Sequence, residues 1–436
     1  MATQLLSVRN SVRSPAPANR VGILARVLMS NRVQIPAILA FTVGVPEFLH
    51  PRLAPLGPWF VITAPGVETS AVFAAVAVLF AHFALRQLTT LPLATAKSLI
   101  LPTLLAIFGA ASISMFAFFP HAGRYHMWTA FCLSLIWLMA IAFLQARLVT
   151  PVVAVIGVDR IEERLQLANV SWTVLREPHL DGPISAAVID PHTEISLAWS
   201  RFITGLVLRG IPVYHLAHIE EGLTGRLRFR SSADNDFGAL LPSLVYLRLK
   251  RLVDLAGALV LLPLVVPVIL IAMIAVRMDS RGAALFRQQR VGRAGKEFTC
   301  YKLRTMQIDC TGPAFTTDSD PRITRIGRFL RKWRIDELPQ IANVMRGEMS
   351  WIGPRPEAAD LAHHYAQHIP FYDYRHAVQP GITGWAAVHQ GNVAQIDAAV
   401  VKLEYDFYYI RHFSIWLDFL IFLKTLQTVW TGFGSK

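Results

Sequence analysis

One uncharged run, Leu255 to Val276, constrains this chain more than any other stretch. A segment of that length and apolarity reads as a helix in a bilayer. Its flanks do not permit a simple crossing. Arg248, Lys250 and Arg251 precede it, and Arg277, Arg281, Arg287, Arg290, Arg293 and Lys296 follow. Positive charge stays on the cytoplasmic side of a membrane, so both ends are expected on one side. Pro263 and Pro267 lie inside the run, where a proline removes a helix hydrogen bond and clashes with the preceding turn. The expectation is a re-entrant helix–break–helix over 246–277, broken at Pro263 and Pro267. A kinked spanning helix would export the Arg-rich segment that follows, and is rejected.

Four further apolar segments, near 33–50, 69–86, 98–119 and 127–146, each approach bilayer-spanning length. The first is broken by Pro36 and Pro46. Basic residues in the 1–32 tail, in the 86–97 loop and at Arg147 fall on one side, so four crossings over 33–147 return the chain to the cytoplasm. The tail has no clean signal-peptide core and reads as a basic cytoplasmic extension. His82 and Pro102 read as packing or kink residues, not a proton path. Composition agrees: 53% of residues are hydrophobic, and 42 Lys+Arg against 29 Asp+Glu give +13. Such a balance suits anionic lipid head groups and anionic substrates. Nucleic acid, the other usual partner, finds no motif here. Cys132, Cys300 and Cys310 show no metal-ligand spacing and fit a reducing compartment.

From Pro151 the pattern turns to soluble α/β. Val152–Gly157 reads as a buried strand, followed by a helix around 160–169, strands near 172–175 and 184–189, a helix near 195–208 and a strand at Ile211–Tyr214. The expectation is a Rossmann-like cytoplasmic domain over 148–219. Gly157 stands without the rest of a dinucleotide-binding fingerprint, so a structural or regulatory role is expected. Residues 220–245, with Gly222, Gly225 and a Ser/Asp/Asn cluster, read as a linker. Beyond them, 278–436 forms the last domain. The fold class is thus an α-helical membrane protein with α/β parts. Phe413 to Phe433 mixes aromatic and aliphatic residues with Asp418, Lys424 and Gln427, which suits an interfacial helix lying on the bilayer.

Within the last domain, Asp336 and Glu337 interrupt a cationic run of Arg322, Arg325, Arg328, Arg331, Lys332 and Arg334, with Arg346 and Arg355 beyond. Guanidinium groups hold a nearby carboxylate ionised, and such a carboxylate is a nucleophile when an electrophile is brought to it. The arginine excess suits bringing a phosphate. Pro339 fits a first helical turn, so Leu338–Met345 is expected to begin a helix with the acidic pair at its positive end. The bland alternative is helix capping and ordinary pairing with arginine. In Gly353-Pro354-Arg355-Pro356, two prolines fix the backbone around one guanidinium, as bidentate phosphate recognition requires, although a rigid surface turn would use the same residues.

Asp336-Glu337-Leu338-Pro339-Gln340, Asn343-Val344, Gly347-Glu348-Met349-Ser350, Gly353-Pro354-Arg355-Pro356 and Pro380-Gly381-Ile382-Thr383-Gly384-Trp385 resemble the bacterial polyprenyl-phosphate phosphoglycosyl transferases, in the same order over about 247–436. The resemblance, to the long form of that family, implies transfer of sugar-1-phosphate from a nucleoside-diphosphate sugar, mostly a UDP-hexose, to undecaprenyl phosphate in the inner leaflet. It implies that Asp336 is the nucleophile, that Glu337 helps hold Mg²⁺, and that Lys302, Arg304 and Arg355 bind phosphate; Arg322, in an arginine-rich block, faces either substrate phosphate or lipid head groups. It also implies a bacterial inner-membrane protein with its catalytic part on the cytoplasmic face and a possible homodimer. The family breaks its re-entrant helix at a Ser-Pro pair; Pro267 corresponds, while Val266 replaces the serine and Pro263 is additional. A non-catalytic membrane regulator of polysaccharide export and a lipid-linked sugar transporter are the readings of other classes.

Overall fold

The computed structural model describes residues 30–53, 67–89, 96–120, 125–148, 152–156, 171–180, 182, 184–189, 196–228, 242–307, 320–390 and 396–431. Gly157, the helix expected at 160–169, most of the basic tail and residues 229–241 of the expected linker lie outside them. The chain divides into two compact units, Met1–Thr224 and Gly225–Lys436.

In the first unit, α1 (Asn31–Leu39) runs through a π-helical turn at Ala40–Gly44 into α2 (Val45–Leu53). Three long helices follow: α3 (Val67–Leu88), α4 (Ala96–Phe118) and α5 (Tyr125–Leu148). Small residues such as Ala74, Ala77, Ala81 and Ala130 are buried where helices meet, while Val72, Phe80, Ile113 and Trp128 are exposed. Apolar side chains turned outward suit a lipid solvent and not water. His82 is buried, its Nε2 3.4 Å from Asn31 Oδ1, which makes it a packing residue between helices. Including α8 below, five described helices are long and apolar enough to cross a membrane.

The soluble part of this unit is a parallel sheet of β1 (Val152–Ile156), β2 (Ser171–Leu175), β3 (Ala186–Ile189) and β4 (Val213–His215), in the order 2-1-3-4. Continuous apolar runs such as Val152–Ile156 form strands covered on both faces, as parallel sheets require. α6 (Leu197–Leu208) covers one face and α7 (Leu216–Thr224) the other. Residues 220–224, read in sequence as the start of the linker, are thus the end of α7.

The second unit is built along α8 (Leu244–Asp279), one continuous helix of 36 residues that contains both Pro263 and Pro267. Its contacts with the rest of the unit run along its length. Near the start, Lys250 Nζ lies 2.5 Å from Asp418 Oδ2, and Arg251 donates to the carbonyls of Val344 and Met345. Farther along, Ala258 and Val265 pack with Phe298, Cys300 and Val344, and Ala272 and Val276 pack with Leu303 and Leu330. Leu259, Val260, Leu264, Leu270 and Ile274 face outward.

β5 (Leu285–Val291) and β6 (Glu297–Leu303) form an antiparallel hairpin against α8. Then come α9 (Arg325–Lys332), a 3₁₀ segment (Ile335–Gln340), α10 (Ile341–Arg346) and β7 (Ser350–Ile352). After α11 (Ala359–His368) and a second 3₁₀ segment (Tyr372–Ala377), β8 (Gly381–Thr383) pairs in parallel with β7. α12 (Trp385–His389), α13 (Ile396–Arg411) and α14 (Ile415–Thr431) complete the unit. α14 turns Ile415, Phe422 and Leu426 outward and buries Leu417, Leu420 and Ile421.

The β7–β8 junction is closed by glycines. A Cβ at Gly381 would sit 2.1 Å from Gly353 N, and one at Gly384 2.1 Å from Gly353 O. Both are backbone atoms and have no room to yield. Gly381→Ala should therefore lower stability by roughly 3 kcal/mol. Thermal unfolding of the purified variant checks this, and an unchanged midpoint would contradict it.

Candidate active site

α9 begins at Thr324, whose hydroxyl accepts from Gly327 N at 2.9 Å, and ends in Arg331 and Lys332. The chain then turns through Arg334 in a left-handed conformation, φ 56°. A non-glycine residue there is strained. This turn aims Asp336 and Glu337 inward: they are 8% and 6% exposed. The expected helix start is present in altered form. The acidic pair occupies the 3₁₀ segment, and the α-helix begins only at Ile341.

Glu337 is surrounded by cations. Arg355 spans both of its oxygens, through Nη2 to Oε1 and Nη1 to Oε2 at 3.5 Å. Lys302 Nζ lies 3.4 Å and Arg334 Nη1 3.8 Å from Oε1. Burial alone would raise the Glu337 pKa, but Arg355 and Lys302 outweigh it and hold the carboxyl well below the usual range. Asp336 differs. Its Oδ1 is buried with no hydrogen-bond partner. Burial first, and the adjacent Glu337 charge second, push its pKa up to about 6, against the pull of Lys302, Arg355 and Arg331. The sequence reading, in which arginines simply keep the carboxylate ionised, thus undervalues desolvation. At pH 7 the group is still about nine-tenths ionised.

The structure brings Lys302, Arg334, Arg355 and the acidic pair together. It does not bring Arg304 and Arg322 into direct contact with them. Lys302 is near the end of β6, whereas Arg304 lies past it and donates through Nη2 to Ser280 O and Oγ at 2.8 and 2.9 Å. Its Nε and Nη1 are buried without partners. Arg322 is clasped by Asp320, at 2.9 and 2.6 Å.

What holds Arg355 is a second charge network that sequence reading missed. Arg375, buried, donates to the Arg355 carbonyl at 2.9 Å, to Asp406 Oδ2 at 2.8 Å and to Tyr372 OH at 2.7 Å. Lys402 pairs with Glu357, and Arg290 donates to Gln288 and to the Pro356 carbonyl. The Arg355 Nη1 also donates to Ile382 O at 3.2 Å, so the Pro380–Gly384 loop contributes by backbone. The signal in sequence was Asp406, a lone acid within Tyr405-Asp406-Phe407-Tyr408-Tyr409. Asp406→Ala would leave buried Arg375 with only the longer Glu357 pairing at 3.7 Å and should cost about 3 kcal/mol. Denaturant unfolding measures this, and a loss below ~1 kcal/mol would contradict the assigned pairing.

Asn343 likewise acts by position. Fully buried, it donates to Thr299 O and Glu348 Oε2 at 2.7 Å each and accepts from Tyr301 N, pinning α10 to β6 beside Lys302.

A buried acidic pair, one member neutralised by cations and the other with a bare oxygen, beside a rigid arginine loop, has the charge and geometry to receive a phosphate group. Comparison with known proteins narrows this. Residues 245–432 match the bacterial sugar transferase family. The chain is 37% identical over 365 residues to a UDP-N-acetylgalactosamine–undecaprenyl-phosphate N-acetylgalactosaminephosphotransferase of Aeromonas hydrophila, covering 83% of this chain and 86% of that one. It is 40% identical over 193 residues to a UDP-glucose:undecaprenyl-phosphate glucose-1-phosphate transferase of Escherichia coli K12, covering 43% and 41%. A galactosyl transferase of Streptococcus agalactiae is 40% identical over 201 residues, covering 43% of each chain. The chain belongs to the bacterial sugar transferase family and is a transferase.

Proposed function

We propose that this protein transfers sugar-1-phosphate from a UDP-sugar to undecaprenyl phosphate, through a covalent phosphosugar on Asp336. The observation that carries this is the unpartnered Oδ1 of a buried, ionised carboxylate within a cationic cluster. Asp336 Oδ attacks the sugar-bearing β-phosphorus, the bond to the bridging oxygen breaks, and UMP leaves. An oxygen of undecaprenyl phosphate then attacks the same phosphorus, the aspartyl bond breaks, and the carboxylate is regenerated. Arg355 and Lys302 offset the charge that develops on the phosphoryl oxygens. Such a product would initiate exopolysaccharide or O-antigen repeats. A regulator has no need of so costly a buried carboxylate.

Among the described residues no three metal-ligating side chains converge. Mg²⁺ does not need them: it binds one or two carboxylates and completes its shell with water and substrate phosphates. Glu337, whose oxygens keep lone pairs beside those that Arg355, Lys302 and Arg334 occupy, would supply such a ligand and leave Asp336 Oδ1 for attack. Mg²⁺ bound there would neutralise diphosphate charge.

The four N-terminal crossings and the re-entrant path of α8 belong to this reading. Both ends of α8 engage the same unit, through Lys250 and Arg251 at one end and Val276 at the other. A crossing helix would separate those contacts. The site then stands at head-group depth on the cytoplasmic face, with α14 on the bilayer surface. A homodimer remains part of the proposal.

The test is UMP release from UDP-glucose, UDP-galactose and UDP-N-acetylgalactosamine by purified protein with Mg²⁺, with and without undecaprenyl phosphate. The expected result is lipid-dependent turnover with one preferred donor and a lipid-diphosphate sugar as product. No such product with any UDP-sugar would overturn the reading. The pH dependence is also fixed. The reactive form of Asp336 is deprotonated, so kcat/KM should halve near pH 6 and fall about tenfold per unit below it. Stability moves the other way. The folded chain holds this proton more tightly than the unfolded chain, with its ordinary 3.8, so Asp336 costs stability at pH 7 and the cost vanishes as pH falls from 6 to 4. Rates from pH 5 to 8 check the first statement; a flat profile there would contradict it.

A further inference from the structure

The buried lysines of the second unit follow a pattern. Lys250 pairs with Asp418, Lys302 with Glu337 and Lys402 with Glu357. Lys424, on the inner face of α14, breaks it. Half-buried, it has no carboxylate partner among the described residues. Its Nζ lies 2.7 Å from His389 Nε2 and 5.1 Å from the centre of the Trp385 ring. His389 is fixed in turn: its Nδ1 is 2.8 Å from Trp385 O, and its ring stacks on Tyr405 at 5.4 Å. A carbonyl only accepts, so Nδ1 carries the proton and Nε2 offers its lone pair to the ammonium. That leaves two Lys424 N–H bonds for another acceptor. Arg226, over the Tyr405 ring, is paired with Glu404 at 2.5 Å.

An uncompensated cation in such a place is costly and persists where something else supplies the anion. Burial pulls the Lys424 pKa to about 8, so the amine is still charged at pH 7 and lacks a carboxylate to raise it. Its position is informative. The next residue, Thr425, shares a 2.8 Å hydrogen bond with Thr383, whose neighbour Ile382 accepts from Arg355. Lys424 is thus one residue along α14 from a contact that reaches the Arg355 loop.

We propose that Lys424, oriented by His389, is an anion-binding residue that receives a phosphate group of one of the two substrates. The inference rests on the transferase reading. Two sources carry that chemistry, the donor diphosphate and the lipid phosphate, and a binding experiment separates them. Wild type, Lys424→Met and Lys424→Arg in nanodiscs are titrated with UDP and, separately, with undecaprenyl phosphate. Lys424→Met should weaken one of these by about tenfold or more and leave the other near wild type, and Lys424→Arg should restore most of the loss. The ligand that is lost identifies the source, and the one retained shows that the fold is intact. Unchanged binding of both by Lys424→Met would overturn the role of the lysine alone. Loss of both without rescue by Lys424→Arg would make it a structural residue and overturn it too. A wild-type protein that binds neither would instead sink the transferase reading on which the inference depends.

Discussion

Asp336→Asn should lower kcat by about 10³-fold or more while leaving donor binding within a few-fold of wild type. The amide keeps the size of the carboxyl but not its charge or nucleophilic oxygen. Nothing else replaces it: Glu337, the adjacent carboxylate, has both oxygens engaged by Arg355. The substitution also removes a desolvated charge, so loss of activity cannot be ascribed to unfolding; the variant should melt no lower than wild type. Steady-state UMP release together with thermal unfolding measures both. Retention of a tenth of the activity would place the nucleophile elsewhere.

Arg355→Met comes second, with an expected loss of about 10²–10³-fold in kcat/KM. Arg355 is held from behind by Arg375 and in front spans Glu337, and the Glu337 charge keeps it firmly protonated. Removing it costs the phosphate its fixed fork and leaves Glu337 offset only by the longer contacts of Lys302 and Arg334, so its negative charge acts more strongly on Asp336. The Asp336 pKa should rise further, so the acid limb of the pH profile should move upward in this variant. Arg355→Lys retains charge but not the planar fork and should recover only part of the loss. A pH limb that stays at its wild-type position would contradict the electrostatic link between the two residues.

Much of this site was legible in sequence because its parts are local. Asp336 and Glu337 are adjacent, and the prolines flanking Arg355 announce a fixed turn. The strands of the parallel sheet were legible too, since apolar runs such as Val152–Ile156 have few other uses. What was not legible depends on pairings far apart in the chain. The Arg375–Asp406 contact joins a 3₁₀ segment to a helix 31 residues on, and no local pattern couples them. The divergence of Lys302 and Arg304 is similar. Alternation puts both on one strand face, but β6 ends at Leu303, and Ser280 at the end of α8 captures Arg304 instead. The rise of the Asp336 pKa was hidden for the same reason, because sequence displays neighbouring charges and not burial.

The α8 helix shows a different limit. Two prolines four residues apart argue for a break, yet the helix continues through them. Side-chain packing along one face, from Ala258 to Val276, offsets the missing backbone hydrogen bonds. The re-entrant route proposed for this helix therefore rests on its contacts at both ends and not on a break at the prolines.

The most direct test of the covalent aspartate is the mass of the intact protein after incubation with its preferred UDP-sugar and Mg²⁺, with no lipid acceptor. A gain equal to one sugar phosphate, located on the peptide containing Asp336 and absent from Asp336→Asn, is the expected result; adding undecaprenyl phosphate should discharge it. UMP release that begins only when the lipid is present, with no adduct at any time, would contradict a two-step transfer through Asp336.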